Sequence, residues 1–304
     1  MHPTDPRSRD AAPRWCATVG PVFLDTNPLA QPAETATLAV ISWNVHVGAG
    51  DVDDLVFRLK RGDFTDGEPV TDFVLLLQEV LRRDDTVPAD IDRRLPTPRR
   101  IGRRSRPSDD DVRVVARKHG LALLYVPAMR NGAAAQREDR GNAIASTLPL
   151  DDVRILELPF VRQRRVVPIA TVEGRAPAGP RWRLRVADVH FDTAVALAHG
   201  GPFSARRREA DALIAALADS AIPTLAGGDF NTWLGDREAA IAALRRAFPD
   251  APRWTSTSTW RGPLGIRASV DRVFVRGTVR SVTIRRLPDR FGSDHYPLLA
   301  RLTF

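Results

Sequence analysis

The sequence predicts a mixed α/β (α+β) fold in which two β-sheets pack face to face and helices cover their outer surfaces. Short apolar segments rich in β-forming residues recur along the chain, and a few helical patterns interrupt them. Both kinds of segment occur in two successive halves, which favours two packed sheets. With 304 residues, the chain is long enough for one large domain and too short for two such domains with linkers.

The first 35 residues differ in composition from the rest of the chain. They are rich in Pro, Asp and Arg and show no periodicity, so we predict a disordered or extended arm over 1–35 and a folded domain over 36–304. The N-terminus lacks the apolar segment of a secretory signal, which favours a cytoplasmic protein. Cys16 is the only cysteine, so the sequence excludes an internal disulfide and a cysteine-based zinc site.

The first half of the predicted domain mixes buried strands with short helices. Apolar runs predict strands at 38–44, 73–77 and 121–126. Apolar side chains at helical spacing predict helices at 51–60 and 110–119, each followed by a glycine that ends it.

The second half is mostly β. The alternation of apolar and polar residues, clearest at 181–186, is typical of half-buried strands. The predicted strands cover 143–146, 153–158, 166–172, 181–186, 222–226, 270–275, 279–285 and 298–302, and the predicted helices cover 204–217 and 236–248.

The chain is strongly basic, with a net charge of +8. Lys60 and Lys118 are the only lysines, so arginine supplies nearly all of this charge, as in proteins from GC-rich genomes. Many arginines fall within residues 82–106, a stretch longer than a routine connection. This stretch could contact an anionic substrate or form a solvated surface, and the sequence leaves both interpretations open.

Six short segments carry residues suited to metal binding or proton transfer. Five end an apolar strand or follow it directly, where sites are often built on α/β scaffolds, and the sixth carries an aspartate in an apolar strand. The segments are Ser42-Trp43-Asn44-Val45-His46, Leu77-Gln78-Glu79-Val80, Asp188-Val189-His190, Gly228-Asp229-Phe230-Asn231-Thr232, Val270-Asp271-Arg272-Val273 and Gly292-Ser293-Asp294-His295-Tyr296-Pro297. Each is weak evidence alone, but the scarce Asn, Gln and His residues concentrate in them.

These residue types fit metal-assisted hydrolysis of a phosphate ester. Mg²⁺ prefers oxygen ligands and is commonly held by one or two carboxylates. Glu79 and the amide oxygen of Asn44 supply such a half-site, and Asp294 can complete it. We therefore expect Mg²⁺, or Mn²⁺ in its place, as the cofactor.

The remaining residues suit proton transfer and charge stabilisation. Asp229 and Asn231 lie on the same side of an extended segment, where one can take a proton from water while the other fixes the attacking geometry. His190 and His295 can donate hydrogen bonds to phosphate oxygens. Asp271 is expected to orient one imidazole, as carboxylates do in catalytic triads.

In these motifs, the chain resembles the endonuclease/exonuclease/phosphatase superfamily, whose members include DNase I-like nucleases, apurinic endonucleases, neutral sphingomyelinases and inositol polyphosphate phosphatases. The resemblance covers residues 37–304, with the segments in the family's order. Its most specific parts are Gly228-Asp229-Phe230-Asn231 and Ser293-Asp294-His295-Tyr296-Pro297. His46 and Arg272 depart from the residues that many members carry at those positions, and neither change removes a predicted catalytic group.

The resemblance implies a DNase I-like four-layer sandwich with the site at the top of two mostly antiparallel sheets. It implies Mg²⁺ at Glu79 and Asn44 with Asp294 nearby. It also implies that Asp229 orients or deprotonates water, with Asn231 supporting the phosphate. His190 and His295 would stabilise the transition state, and Asp271 would hydrogen-bond His295.

The substrate class stays open at this point. We place a nuclease first, on the basic charge and the arginine stretch. A phosphatase or phosphodiesterase acting on a small phosphorylated metabolite or a lipid headgroup is the alternative, and a catalytically inactive binding protein is a remote one. We expect a monomer with a phosphate-ester substrate, nucleic acid among the candidates, and no stable membrane insertion.

Overall fold

Two β-sheets lie face to face at the centre of the protein. The computed structural model describes residues 6–27, 30–89, 111–129, 137–160, 163–177, 179–193, 201–219, 221–252 and 257–304. The helices in these ranges are α1 (Pro6–Cys16), α2 (Val52–Lys60), α3 (Val112–His119), α4 (Gly201–Ala216) and α5 (Ala239–Ala247). The strands are β1 (Phe23–Asp25), β2 (Thr37–Asn44), β3 (Phe73–Arg83), β4 (Ala122–Met129), β5 (Glu138–Ser146), β6 (Asp151–Glu157), β7 (Val166–Arg175), β8 (Arg181–His190), β9 (Thr224–Asp229), β10 (Trp260–Arg261), β11 (Arg267–Ala268), β12 (Asp271–Arg276), β13 (Ser281–Arg286) and β14 (Leu298–Thr303).

Each large sheet contains one pair of parallel strands in an otherwise antiparallel order. The first sheet has the order β1-β4-β5-β3-β2-β14-β13, and its parallel pair is β2 and β3. The second has the order β12-β9-β8-β7-β6, and its parallel pair is β8 and β9. Because parallel strands end at the same edge, each pair brings two carboxyl-terminal strand ends together.

Within the described residues, three apolar cores separate four layers. The first lies between the two sheets, the second joins the first sheet to α2 and α3, and the third joins the second sheet to α4 and α5. Successive residues of β2 alternate between cores: Val40 enters the first and Ile41 the second. A strand covered on both faces reads as a continuous apolar run. The predicted sandwich of two packed, mostly antiparallel sheets flanked by helices is confirmed.

The N-terminal segment differs from the disordered or extended arm that its composition predicts. Residues 6–16 form α1, and Trp15 is buried with its ring centroid 5.0 Å from that of Phe160. Further along, β1 pairs with β4 and is itself an edge strand of the first sheet. The isolated Trp15 and a three-residue strand provide this packing without producing a periodic pattern in the sequence.

A buried ion pair extends two strands beyond their predicted bounds. Nε of Arg82 donates to Oδ1 of Asp139 at 3.0 Å, and both side chains are buried. This pairing lets β3 continue to Arg83 and β5 begin at Glu138, although charged residues dominate both ends. Arg82 and Arg83 therefore belong to a strand. The remainder of the arginine stretch, from residue 90 to 106, lies outside the described residues.

None of the described helices is both long and apolar enough to cross a lipid bilayer.

Candidate active site

The end of the parallel pair in the first sheet positions the predicted metal ligands. Asn44, the last residue of β2, is in register with Gln78 of β3, so Glu79 follows at the same edge. A β-bulge lies between Leu77 and Val80, and Glu79 has a left-handed backbone with φ of 60°. A bulge re-aims a side chain, and a strained non-glycine residue is common at functional sites.

The Glu79 carboxylate and the Asn44 amide face the same cavity. Oε2 of Glu79 accepts a hydrogen bond from the Val47 backbone N–H at 3.0 Å, while Oε1 lies 3.7 Å from Nε2 of His190. Asn44 donates through Nδ2 to Oδ2 of Asp229 at 3.2 Å. Its Oδ1 accepts the His46 backbone N–H at 2.9 Å and has a second lone pair. Glu79 and Asn44 thus each have a side-chain oxygen that can coordinate a cation.

The register of the second sheet places three further predicted residues side by side. Asp229 ends β9, opposite His190 on parallel β8 and opposite Asp271 on antiparallel β12. The close approach of β8 and β9 requires glycine before Asp229, because a Cβ on Gly228 would lie 1.8 Å from the carbonyl oxygen of Val189. Gly228 of this motif is therefore a packing requirement.

His295 joins this group from the segment before β14. Its Nδ1 lies 3.1 and 3.0 Å from the two carboxylate oxygens of Asp271, and its Nε2 lies 3.8 Å from Oδ2 of Asp229. Ser293 fixes the segment to the first sheet, since its Oγ donates to the Asn44 carbonyl at 2.7 Å and accepts the His295 N–H at 3.0 Å. The predicted Asp271–His295 partnership is present in the geometry.

Burial and neighbouring charges strongly shift the pKa values of Asp229 and His295. Burial raises the pKa of Asp229 to about 6, and the negative charge of Asp271 adds to this. Burial alone would lower the pKa of His295, but the charge and hydrogen bond of Asp271, together with Asp229 and Asp294, raise it to about 10. At neutral pH, the site therefore pairs an ionised carboxylate with a protonated imidazole.

His190 has different surroundings. Its Nδ1 lies 3.1 Å from a guanidinium nitrogen of Arg165. Its Nε2 is buried and has no hydrogen-bond partner among the described residues, with Glu79 and Asp229 at 3.7 and 3.8 Å. Burial, followed by the charge of Arg165, lowers the pKa of His190 well below its usual value. The nitrogen of a neutral imidazole that has no partner among the described residues therefore faces Glu79 and Asp229.

Asn231 and Asp294 complete the predicted set, each held by neighbours. Asn231 has a φ of 50°; its backbone N–H donates to Oδ1 of Asp229 at 2.9 Å and its side-chain Nδ2 donates to the Phe191 carbonyl at 2.9 Å. Asp294 accepts from Nε1 of Trp260 at 2.9 Å, and its Oδ1 lies 3.0 Å from Nδ1 of His46. Burial opposes ionisation of Asp294, but His46 and the charge of His295 lower its pKa to about 2.

Two groups of residues could hold a metal ion, and the pair of Glu79 and Asn44 fits magnesium better than the other group does. Asp229, Asp271 and His295 offer ligand atoms within 4.8 Å of one another. In that cluster, however, the Nδ1 of His295 is already bonded to Asp271, an arrangement that suits proton transfer. Glu79 and Asn44 instead present oxygen ligands, which Mg²⁺ prefers. They lie next to Nε2 of His190, which has no hydrogen-bond partner among the described residues.

Six of the eight predicted residues line one cavity of about 200 Å³, together with residues that the sequence analysis did not single out. Asp271 and His190 are not among the lining residues, but Asp271 bonds to His295 and Nε2 of His190 lies 3.7 Å from Glu79. Trp233 is 48% exposed and lies 5.1 Å from Trp260 between ring centroids, in a T-shaped arrangement. The lining residues are Asn44, His46, Glu79, Thr193, Asp229, Asn231, Trp233, Trp260, Val270, Asp294 and His295. Trp233, two residues after Asn231, could have been identified by its proximity to the motif, whereas Trp260 carries no such signal.

A sequence profile of the Endonuclease/Exonuclease/phosphatase family matches residues 41–295. The chain belongs to this family. The match includes every predicted site residue. No curated protein matches the chain in a sequence search.

Solved structures of other proteins share the fold of this family member at low sequence identity. An endonuclease/exonuclease/phosphatase family protein from Leptotrichia buccalis is 12% identical, with a TM-score of 0.59 over 88% of this chain and 100% of that one. The human Nocturnin catalytic domain with bound sulfate is 17% identical, with a TM-score of 0.55 over 89% and 95%. Sphingomyelinase C from Streptomyces griseocarneus is 16% identical, with a TM-score of 0.51 over 87% and 99%.

Proposed function

We propose that the protein is a divalent-metal-dependent hydrolase that cleaves phosphate esters by in-line attack of water. The observation that carries this proposal is that Nε2 of buried His190 faces Glu79 and Asp229 and has no hydrogen-bond partner within the described part of the chain. A buried polar atom without a partner is costly unless a ligand satisfies it. A phosphoryl oxygen in this space would accept its hydrogen bond.

Each catalytic step can be assigned to a residue of this cavity. A divalent cation held by Glu79 and Asn44, with Asp294 close by, would neutralise charge on the phosphoryl group. Asp229 takes a proton from the attacking water, and the Asn231 N–H bonded to its Oδ1 keeps the carboxylate in place. His295 donates a hydrogen bond through Nε2 to an oxygen of the transition state.

Asp271 has a supporting role in these steps. Its hydrogen bonds to Nδ1 of His295 fix the orientation of the imidazole and stabilise its protonated form. Asp271 itself is buried and does not need to reach the substrate.

We expect a plateau of kcat/KM between about pH 6 and about pH 10. Asp229 acts as a base only when deprotonated, so the rate should fall as the pH drops below its pKa. His295 acts as a donor only when protonated, so the rate should fall as the pH rises above its pKa. Initial rates across this range test the assignment, and activity that stays constant well below the acid limb would contradict it.

Within this class, we propose a nucleic acid as the substrate. The half-exposed Trp233 and its neighbour Trp260 form an aromatic rim beside the cavity. Arg261 and Arg267, both exposed, are paired in register on the adjacent β10–β11 hairpin. Aromatic rings beside positive charges suit a chain of stacked bases and phosphates.

Replacement of Trp233 by alanine is therefore expected to weaken binding of a single-stranded oligonucleotide about 5- to 150-fold, since stacking on one base contributes about 1–3 kcal/mol. Fluorescence anisotropy in an Asp229→Asn background would measure this without cleavage. Phe57→Ala is the matched control, because Phe57 is also an exposed aromatic residue but does not line the cavity. Equal affinities for all three proteins would remove the support for a nucleic acid.

A lipid headgroup ester is a second candidate, supported by the same hairpin. Leu264 is fully exposed near its tip and Ile266 is 53% exposed, so the hairpin also offers an apolar surface beside the cavity. If this surface contacts lipid, a phosphocholine diester in vesicles should be cleaved faster than the same headgroup in water.

A substrate panel with and without Mg²⁺ tests the proposed function. It should contain plasmid DNA, abasic duplex DNA, a phosphocholine diester in vesicles, and phosphorylated sugars and inositols. We expect cleavage of DNA in Mg²⁺, no cleavage in EDTA, and none by Glu79→Ala purified in parallel. Tight binding without cleavage of any member would instead indicate a binding protein.

A further inference from the structure

The two imidazoles of the site have partners of opposite charge at the same ring atom. Nδ1 of His295 faces the Asp271 carboxylate at 3.0 and 3.1 Å, whereas Nδ1 of His190 faces the Arg165 guanidinium at 3.1 Å. Both histidines are nearly inaccessible, and so is Arg165, which is 2% exposed. The two rings therefore cannot be in the same hydrogen-bonding state.

Hydrogen-bond chemistry fixes the state of His190. A guanidinium carries only donors, so a ring nitrogen that bonds to it must accept. Nδ1 of His190 is consequently the unprotonated nitrogen, and the ring proton is on Nε2, the atom that faces Glu79 and Asp229. At His295 the carboxylate requires the reverse, with a proton on Nδ1.

We propose that Arg165 is a positioning residue that holds His190 as its Nε2–H tautomer, so that His190 donates to the phosphoryl group and does not act as a base. The inference rests on the proposed function for the identity of the acceptor. The two histidines then have different roles. His190 is a fixed hydrogen-bond donor, whereas Asp271 stabilises the positive charge of His295.

The backbone around Arg165 and His190 supports a fixed relationship between them. Arg165 lies directly before β7, and its carbonyl accepts the Leu158 N–H at 3.0 Å. Two residues before it, the Gln163 N–H donates to Oδ2 of Asp192 at 2.8 Å. Asp192 follows His190 by two residues. This bond joins the segment that carries Arg165 to the segment that carries the histidine.

A buried acidic residue, Glu209, is linked to the segment that follows His190. Both oxygens of Glu209, on α4, lie 3.1 Å from the Asp192 backbone nitrogen. Glu209 is buried; burial and the neighbouring Asp192 raise its pKa to about 8, and the charge of Arg165 opposes that rise. Arg165 therefore interacts with a buried acidic group as well as with His190.

The tautomer can be measured directly in the intact protein. Two-bond ¹⁵N–¹H correlation spectra of ¹⁵N-labelled protein, with His190→Gln used to assign the signals, distinguish a protonated from an unprotonated ring nitrogen. We expect an unprotonated Nδ1 and a protonated Nε2 for His190. A proton on Nδ1 of His190 would overturn the proposal, whether or not a substrate is known.

Variants of Arg165 separate positioning from folding. Arg165→Met should give a mixture of tautomers and lower kcat about 10- to 100-fold with little change in KM, whereas Arg165→Lys should restore much of both. Arg185→Met is the matched control, because Arg185 is a buried arginine of β8 that bonds to Asp219 instead. An unchanged tautomer and kcat in Arg165→Met would contradict the role.

The same experiments distinguish failure of this inference from failure of the proposed function. If the substrate panel gives no cleavage while His190 is the Nε2–H tautomer, the positioning by Arg165 stands and the hydrolase proposal fails. If Arg165→Met does not fold, Arg165→Lys and the wild-type spectrum still decide the matter.

Discussion

Replacing Asp229 by asparagine is expected to lower kcat by about 100- to 10,000-fold, the usual contribution of a general base, with KM nearly unchanged. The amide has the same shape and can still accept the Asn231 N–H, but it cannot take a proton from water. Initial rates on the best substrate of the panel measure the effect. A large increase in KM at unchanged kcat would instead make Asp229 a binding residue.

The stability of this variant provides an internal check. Burial raises the pKa of Asp229 to about 6, so the ionised carboxylate destabilises the folded state at neutral pH. The substitution removes this cost together with the hydrogen bond that Asn44 donates to Oδ2, so we expect a Tm close to that of the wild type. Asp236→Asn is the matched control, because Asp236 is exposed and pairs with Arg245 on the surface. A lower Tm for Asp229→Asn would attribute lost activity to structural damage.

Replacing Glu79 by glutamine is expected to lower kcat/KM at least about 100-fold at fixed Mg²⁺, which corresponds to a loss of about 3 kcal/mol of charge stabilisation. Glutamine keeps one oxygen and loses the charge, so raised Mg²⁺ should restore part of the activity. Glu79→Ala, which keeps no oxygen, should not respond. Calorimetric titration with Mg²⁺ and Mn²⁺ measures the affinity independently of turnover.

Glu68→Gln provides the control for the loss of a carboxylate. Glu68 is exposed and pairs with Arg301, away from the cavity. Its removal should leave metal affinity and rate unchanged. If Glu79→Gln binds Mg²⁺ as tightly as the wild type, the metal is held elsewhere, and the Asp229, Asp271 and His295 cluster becomes the next candidate.

The sequence predicted the sandwich correctly. The structure places the eight candidate residues close together, and their assignment as site residues stays a prediction. Strands covered on both faces, such as β2, are continuous apolar runs and are easily detected. The site residues follow such runs, so the parallel pairing of two strands places Asn44 and Glu79 at one edge. Local patterns were therefore sufficient here.

The features that the sequence did not predict depend on long-range pairing. In the sequence, Arg82 cannot be distinguished from the other arginines of the basic stretch. Only the structure shows that it pairs with Asp139 on the neighbouring strand β5. The role proposed for Arg165 depends on the pairing of β7 with β8, which places it beside His190. Trp15 and Trp260 are isolated aromatic residues whose partners are distant along the chain. No local periodicity reports such contacts.

Hydrolysis in water enriched with ¹⁸O tests the central claim most directly. The fastest-cleaved member of the panel would be hydrolysed in Mg²⁺, and the products analysed by mass spectrometry. In-line attack by water on phosphorus predicts one ¹⁸O atom in the phosphate product and none in the released alcohol, with no reaction by Asp229→Asn on the same timescale. Label in the alcohol, or cleavage by Asp229→Asn at the wild-type rate, would contradict the account.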